Sequence, residues 1–308
     1  MSHNLPEARQ NSNNGLDLLW LELTRTCNEK CSFCYNSSGP HVSLSKSLSK
    51  DFWINTLSDA ERMGVTNLSI IGGEPLVLPW FEEFLDRAVN SSFEHIELAT
   101  NATLISERIA RMMGEYRVSA AISLYSSNPD KHDEVTKLQG SFLKTIYGIR
   151  MLRAHDVRIR INYIMSFDNC DETDEIKELV AKFGVTDVGT DRVRNFGRAG
   201  VTTEATGEEK TSELCGACAG RYACVSSEGD VFPCIMSRHM KSGSLKENTL
   251  EEVIEGGKMI SNRGKIAEVK RTETTACNPN LCTPNYCSPR TCRPIDSCGP
   301  DKCRPQWA

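Results

Sequence analysis

"LDLLWLELTRTCNEKCSFCYN", Leu16 to Asn36, joins an apolar run to three cysteines, and its reading decides the fold. Leu16–Thr24 is apolar enough for a buried strand. Cys27, Cys31 and Cys34 follow at once, within eight residues, and no fourth cysteine stands nearby. A helical pattern comes next in "SKDFWINTLSDAERMG", stopped by Gly64. The alternation then repeats. Strands are expected at Asn67–Ile71, His95–Ala99, Val118–Ser123, Arg158–Ile164 and Asp187–Arg192, with helical segments near Leu78–Asn90, Ser106–Met113, Ser141–His155 and Asp171–Lys182. Six strand-helix units imply parallel strands. Right-handed crossovers curl such units into an open doubly wound sheet or a barrel, and six are too few for the full eight-unit barrel. The expected fold is α/β, a partial (β/α)6 TIM-like barrel. Its ligands belong at the carboxyl ends of the strands, where the three-cysteine loop lies.

The 308 residues, 39% of them hydrophobic, suffice for a sizeable core. With 36 basic and 41 acidic residues well mixed and a net charge of −5, no basic footprint points to nucleic acid and no block of charge to anionic lipid. "MSHNLPEARQNSNNG" lacks the features of a secretory signal and no apolar run approaches a membrane span, so a cytoplasmic protein is expected. Fourteen cysteines in a reducing compartment shift the reading from disulfides to metal or redox chemistry.

The organisation expected is a polar tail over 1–14, the barrel over 15–197, a linker over 198–214, a small cysteine-rich module over 215–262 and a repeat tail over 263–308. The linker reading rests on "GRAGVTTEATGEEKTSE", rich in Gly, Thr and Glu, after which come ten of the fourteen cysteines. In the tail, Cys277, Cys282, Cys287, Cys292, Cys298 and Cys303 are each followed by one residue and then proline. Such a segment forms neither helix nor central strand, and bound metal is what would order it.

Three thiolates on a short loop hold three irons of a cubane [4Fe–4S] cluster and leave the fourth iron open. An open metal position binds substrate, where a closed one is a staple. The loop also admits a zinc knuckle completed by His41, or a cluster of buried thiols, although zinc sites favour paired cysteines. The second strand ends in "IIGGEP": Gly72 and Gly73 allow close approach of backbone to a ligand, Pro75 fixes the turn, and Glu74 supplies an acceptor. Thr100–Asn101 ends the third strand and Ser123 the fourth, as polar contacts or helix caps. His132 and Asp133 are adjacent and point apart on a regular element, which favours a structural reading over an acid/base pair.

The spacing C-x3-C-x2-C, with aromatic Phe33 before the last cysteine and GGEP one βα unit later, resembles the signature of the radical S-adenosylmethionine (SAM) enzymes. The resemblance covers roughly residues 16–260. It implies that SAM occupies the open iron and that Cys27, Cys31 and Cys34 are catalytic as cluster ligands. Phe33 would lie against adenine, with Tyr35 as adenine neighbour or core aromatic. Gly72, Gly73, Glu74 and Pro75 would receive the methionine amino group, and Asn101 and Ser123 would contact methionine or ribose. Some members carry an arginine for the SAM carboxylate where this chain has Thr136; Lys137, Arg192 and Arg194 are the candidate substitutes.

Cys215, Cys218, Cys224 and Cys234 in "LCGACAGRYACVSSEGDVFPC" are enough for a zinc site or a second [4Fe–4S] cluster, with Glu228–Gly229–Asp230 as a hairpin turn and a helix after "SGSLKENT". The segment resembles the SPASM or twitch extension, including its G-x4-C element from Gly229 to Cys234. The tail departs from the full SPASM spacing, so one auxiliary cluster is expected and a second left open. Cys170, at a strand end, is a hydrogen-atom donor or an idle thiol.

The resemblance implies reductive cleavage of SAM to methionine and a 5′-deoxyadenosyl radical that takes a hydrogen atom from carbon, with flavodoxin or ferredoxin as electron donor. The substrate class it suggests is a ribosomally made precursor peptide, cross-linked, epimerised or otherwise oxidised. A separate leader-binding protein would serve recognition if no barrel surface or strand edge does. A small molecule such as a sugar or amino acid is the alternative substrate. A noncatalytic iron–sulfur or zinc protein is the alternative class.

Overall fold

The computed structural model describes residues 16–165, 172–200, 207–214 and 220–276, the side chains of 207–209 and 269–276 excepted. Six parallel strands, β1 (Leu18–Glu22), β2 (Asn67–Ile71), β3 (His95–Thr100), β4 (Ser119–Ser123), β5 (Ile159–Met165) and β6 (Asp187–Arg192), pair in chain order. Helices α1 (Lys50–Arg62), α2 (Phe81–Val89), α3 (Glu107–Glu115), α4 (Pro129–Thr136), α5 (Ser141–Ala154) and α6 (Thr173–Ala181) fill the crossovers. This is the partial barrel. Ser49 caps α1 on the amide of Phe52 and Ser106 caps α3 on that of Ile109, so two helices start where a hydroxyl accepts an otherwise orphaned N–H.

Alternation along the strands builds two faces. Leu19, Leu21, Leu68, Ile70, Leu98, Ile122 and Ile161 point to the helices and pack with Trp53, Leu57, Phe84 and Leu152. Each such fully buried side chain stabilises the fold by about 1.5–3 kcal/mol. Leu18, Trp20 and Ile71 face the other way and form a separate cluster in the lumen.

The C-terminal part extends the same sheet. α7 (Gly207–Ser212) precedes β7 (Tyr222–Val225), which pairs with β1 in parallel, and β8 (Asp230–Phe232) and β9 (Gly243–Ser244) follow antiparallel. Among the described residues the sheet thus has nine strands, ordered β6-β5-β4-β3-β2-β1-β7-β8-β9. Gly229 makes the expected hairpin turn at φ +84°, a conformation that suits a residue without Cβ. Thr249 and Glu252 form a capping box for α8 (Leu250–Glu255), and α9 (Gly257–Ala276), which no sequence pattern announced, closes the described chain. Among the described residues no helix is long and apolar enough to cross a membrane.

Candidate functional site

The cysteine loop leaves the carboxyl end of β1, and its own neighbours hold it by backbone. Gly73 donates its N–H to Thr24 O at 2.6 Å, and Glu74 donates to Thr26 O at 3.0 Å. A Cβ on Gly72 would lie 2.8 Å from Thr24 O and one on Gly73 2.3 Å from Thr26 O. The glycine pair is therefore required by the protein's own backbone beneath the loop, an approach the sequence reading had assigned to a ligand. From the other side, Lys30 and Ser32 donate to the carbonyls of Thr136 and Val135 at the end of α4, each at 2.9 Å.

A third hold was not foreseen. Gly197–Gly200, the start of the segment read as a linker, is a short 3-10 turn that crosses from β6 to the loop. Arg198 donates its backbone N–H to Cys34 O at 3.0 Å, Nε to Cys31 O at 2.7 Å and Nη1 to Ser38 O at 2.6 Å. Gly197 stands at φ +54°, and a Cβ there would meet Cys34 O at 2.2 Å. The signal available was position: "GRAG" starts five residues after the end of β6, the last barrel strand, at the carboxyl end.

Cys27 and Cys31 are buried, Cys34 is partly exposed, and all three are free thiols. The Glu29 N–H points at Cys27 Sγ (3.4 Å), Cys31 Sγ lies 3.4 Å from Glu29 Oε2, and Asn101 Nδ2 lies 3.9 Å from Cys27 Sγ. Burial first, then the carboxylates of Glu74 and Glu29, push the thiols of Cys27 and Cys31 far above the ordinary range. A thiolate in such a place needs a positive centre, and iron supplies one. Among the described residues no three His, Cys, Asp or Glu side chains close around a single ion. A cubane asks for a wider spread, since each ligand grips a different iron. Glu29 itself, its carboxyl pushed up to about 8 chiefly by burial, has Oε1 buried with no hydrogen-bond partner. That orphaned acceptor fits a group bearing an ammonium, and the three thiols fit the cluster.

The remaining expected SAM contacts are distributed around this loop. The Glu74 carboxylate is fully buried and accepts from Leu76 N, Thr100 Oγ1 and Asn101 N at 2.8–3.0 Å, which makes it a clamp between the second and third strand ends. Pro75 begins a 3-10 turn over Pro75–Val77. Asn101 Nδ2 donates to Asn28 Oδ1 at 2.9 Å, inside the cysteine loop. Phe33 meets Tyr125 edge-on with centroids 5.3 Å apart, and Ser123 bonds the Tyr125 hydroxyl. Tyr35 turns instead to the C-terminal part, packing with Phe196, Leu214, Cys234, Met240 and Ile266.

Of the candidates for the SAM carboxylate, Arg192 is paired with Glu213 and Arg194 with Asp191, at 2.7 and 2.8 Å, while Lys137 is exposed and Thr136 is buried against Ser141. Asp133 caps α5 through Gly140 N, Ser141 Oγ and Phe142 N, and His132 Nδ1 accepts from Tyr125 N, so the pair is structural here.

In the second cysteine group, Cys224 sits on β7 beside Trp20 and Tyr222 in the lumen cluster, and Cys234 follows β8. Cys215, Cys218, Cys170 and the six tail cysteines lie outside the described residues. Four residues past Cys234, Arg238 pairs with Glu22 at the end of β1. Lower in the lumen, Arg160 of β5 reaches across Ala121 of β4 to grip both oxygens of buried Glu97 on β3, at 2.9 and 3.0 Å. Neither ion pair was read from the sequence, because each joins residues tens to hundreds of positions apart.

Comparison with known proteins agrees with this geometry. Residues 21–193 match the Radical SAM superfamily, and residues 210–287 match SPASM, an iron–sulfur cluster-binding domain. The subtilosin biosynthesis protein AlbA of Bacillus subtilis is 30% identical over 58% of this chain and 39% of its own length. The mycofactocin maturase MftC of Mycolicibacterium smegmatis is 31% identical over 63% of this chain and 50% of its own. The chain thus spans half or less of these relatives. The crystal structure of Streptococcus suis SuiB bound to precursor peptide SuiA aligns with TM-score 0.65 at 15% identity, over 80% of this chain and 66% of that one, a likeness of fold. The superfamily match covers more than half of the chain and contains the whole cysteine loop. The chain belongs to the radical SAM superfamily and carries a SPASM domain.

Proposed function

We propose that this protein is a radical SAM oxidoreductase that modifies a ribosomally synthesised precursor peptide, with a [4Fe–4S] cluster on Cys27, Cys31 and Cys34 and one auxiliary cluster drawn from Cys215, Cys218, Cys224 and Cys234. The observation that carries the reading is a preformed loop of three unbridged thiols at the carboxyl mouth of the barrel, held against the GGEP turn. When bound and reduced, the cluster and SAM supply a 5′-deoxyadenosyl radical that takes a hydrogen atom from carbon. The chain's own residues position and exclude: Gly72–Pro75 fix the loop from below, Asn28 and Asn101 hold its first turn, and Phe33 with Tyr125 walls one side with apolar surface. Below the mouth, Arg160 is tied to Asn162 and to both oxygens of buried Glu97, which gives the lumen a fixed polar floor. The peptide class is supported by the names of AlbA, MftC and SuiB with SuiA.

The test is anaerobic reconstitution with iron and sulfide, then SAM and dithionite, with mass spectrometry for 5′-deoxyadenosine and for candidate peptides beside sugars and amino acids. Wild type is expected to form 5′-deoxyadenosine and to shift the mass of a peptide, and Cys27→Ala to do neither. No 5′-deoxyadenosine, or Cys27→Ala equal to wild type, refutes the enzyme reading. A mass shift in a small molecule alone refutes the peptide reading.

A further inference from the structure

Arg238 is held beside the second cysteine group by strand register. Cys224 on β7 pairs with Trp20 of β1 on one side and with Phe232 of β8 on the other. The Arg238 guanidinium sits over that Phe232 ring, its central carbon 6.0 Å from the ring centroid, and it bonds Glu22, two residues beyond Trp20 on the same face of β1. One of its donors is unused. Arg238 Nε is buried and has no hydrogen-bond partner among the described residues. A buried N–H without an acceptor is costly, so it points to a group the chain binds.

The thiols beside it fit an iron–sulfur group. Cys224 and Cys234 are free and buried, 1% and 6% exposed. The Met236 N–H points at Cys234 Sγ at 3.4 Å, and Ser237 Oγ locks the same turn by accepting from Cys234 N and donating to Cys234 O, each at 2.9 Å. Donors aimed at sulfur suit a thiolate that binds metal. For Cys224, burial pushes the thiol up, Glu22 adds to that, and Arg238 acts against both. The potential of an iron–sulfur site is set by nearby charge, by hydrogen bonds to its sulfurs and by exposure. Arg238 brings the first two to a site that has little of the third.

We propose that Arg238 is a positioning residue of the auxiliary iron–sulfur site, donating its Nε–H to the sulfur side of the cluster at Cys224 and favouring the cluster's one-electron-reduced form by its charge. The inference rests on the reading of Cys224 as a ligand of that cluster. Glu22 has two effects in this arrangement. Its carboxylate fixes the direction of the guanidinium, and its negative charge opposes reduction, so the two members of one ion pair pull the potential in opposite directions. A pair that only fastens strands has no such signature.

The experiment uses the full chain, reconstituted anaerobically with iron and sulfide, with dithionite and a viologen mediator setting one fixed potential at which a minor part of the auxiliary cluster is reduced. It reads iron content and, by electron paramagnetic resonance, the reduced fraction of the cluster whose signal SAM does not shift. Arg238→Met is expected to lower that fraction about tenfold, the effect of one lost charge-assisted bond, and Arg238→Lys to lower it less. Glu22→Gln is expected to raise it. An unchanged fraction in Arg238→Met, or a fraction that does not rise in Glu22→Gln, overturns the proposal and leaves Arg238 as a structural partner of Glu22. Should Arg238→Met lose its iron, Glu22→Gln decides, since it breaks the same pair: iron kept there supports the proposal, and iron lost equally from both overturns it. Cys224→Ala is expected to lose the SAM-insensitive signal and its iron. If it keeps both, the ligand reading fails and this proposal with it; if it loses both while the Arg238 and Glu22 shifts are missing, the proposal alone fails.

Discussion

Replacing Arg238 with methionine is the sharpest test of how the C-terminal strands are fastened to the barrel. Glu22, the last residue of β1, is 0% exposed, and its carboxylate receives the Arg238 guanidinium and, at 3.4 Å, the Ser227 N–H. Burial outweighs these partners and leaves its pKa raised. The pair is therefore one whose desolvation is not fully repaid. Removing Arg238 strands a buried carboxyl, which costs about 3 kcal/mol, at the low end of the range because the Arg238 side chain is itself 28% exposed. Glu22→Gln leaves a half-wet guanidinium and costs about 1–2 kcal/mol. The double variant removes the unpaired charge along with its partner and should cost about 1–2 kcal/mol, where addition of the single effects gives ~4–5. At about 2 °C per kcal/mol for a chain of this length, Arg238→Met melts about 6 °C lower and the double variant recovers most of that loss. Thermal and urea unfolding of the four proteins without metal, read by circular dichroism, closes the cycle. Additive losses, or single losses under about 0.5 kcal/mol, refute the reasoning and leave the β1–β7 ladder and apolar packing to fasten the strands.

Three further outcomes follow from the same geometry. Gly73→Ala puts a methyl 2.3 Å from Thr26 O, so iron loading after reconstitution, measured by colorimetric assay and the visible cluster absorbance, should fall severalfold while circular dichroism stays native. Arg198→Met strips two charge-assisted bonds from the carbonyls of Cys31 and Ser38, a loss of about 2–4 kcal/mol, and should speed amide exchange in residues 31–39 more than elsewhere; equal exchange counts against the strap. His132, lowered to about 4 by burial, is held neutral as acceptor for Tyr125 N. Its folded pKa lies below its unfolded value, so its share of stability is whole above pH 6.5 and is lost as pH falls toward 4, about 3 kcal/mol in all; His132→Phe should flatten that limb of the stability profile.

Local chemistry was legible; distant pairing was not. β2 and β6 have the bounds their apolar runs and turn residues suggest, and β1, β3, β4 and β5 differ by one or two residues at their ends. Cys27, Cys31 and Cys34 announced themselves by spacing, and Gly229 its hairpin by the turn it makes. By contrast, α9 carries Gly257 and Gly264 and few apolar residues, so no periodic stripe marks it, yet Met259 and Ile266 bury against the C-terminal strands. That is tertiary packing overriding weak local preference. The pairing of β7 with β1 was equally hidden. Tyr222 and Cys224 lie beside Leu18 and Trp20 only because a strand two hundred residues later reaches the free edge of the first one, and no local rule encodes a partner that far away.

A six-stranded barrel does not close, and the way this chain treats the gap explains the loop. Cys27 to Cys34 have little secondary structure of their own, so nothing within the loop fixes three thiols in one region. What fixes them comes from outside: the Gly73–Glu74 turn below, the carbonyls of Val135 and Thr136 on one flank, and the Gly197–Arg198 strap on the other. The strap reaches the loop from beyond β6, the strand at one edge of the sheet, while β7 takes the free side of β1. All three supports engage backbone atoms. The three thiols are thereby not needed to hold the loop, and the ordering entropy of about eight residues is met at folding and not at cluster loading. Substitution of an exposed loop side chain such as Lys30 should then be tolerated in the fold, whereas small changes at Gly73, Gly197 or Arg198, none of them a cysteine, disturb the site from a distance.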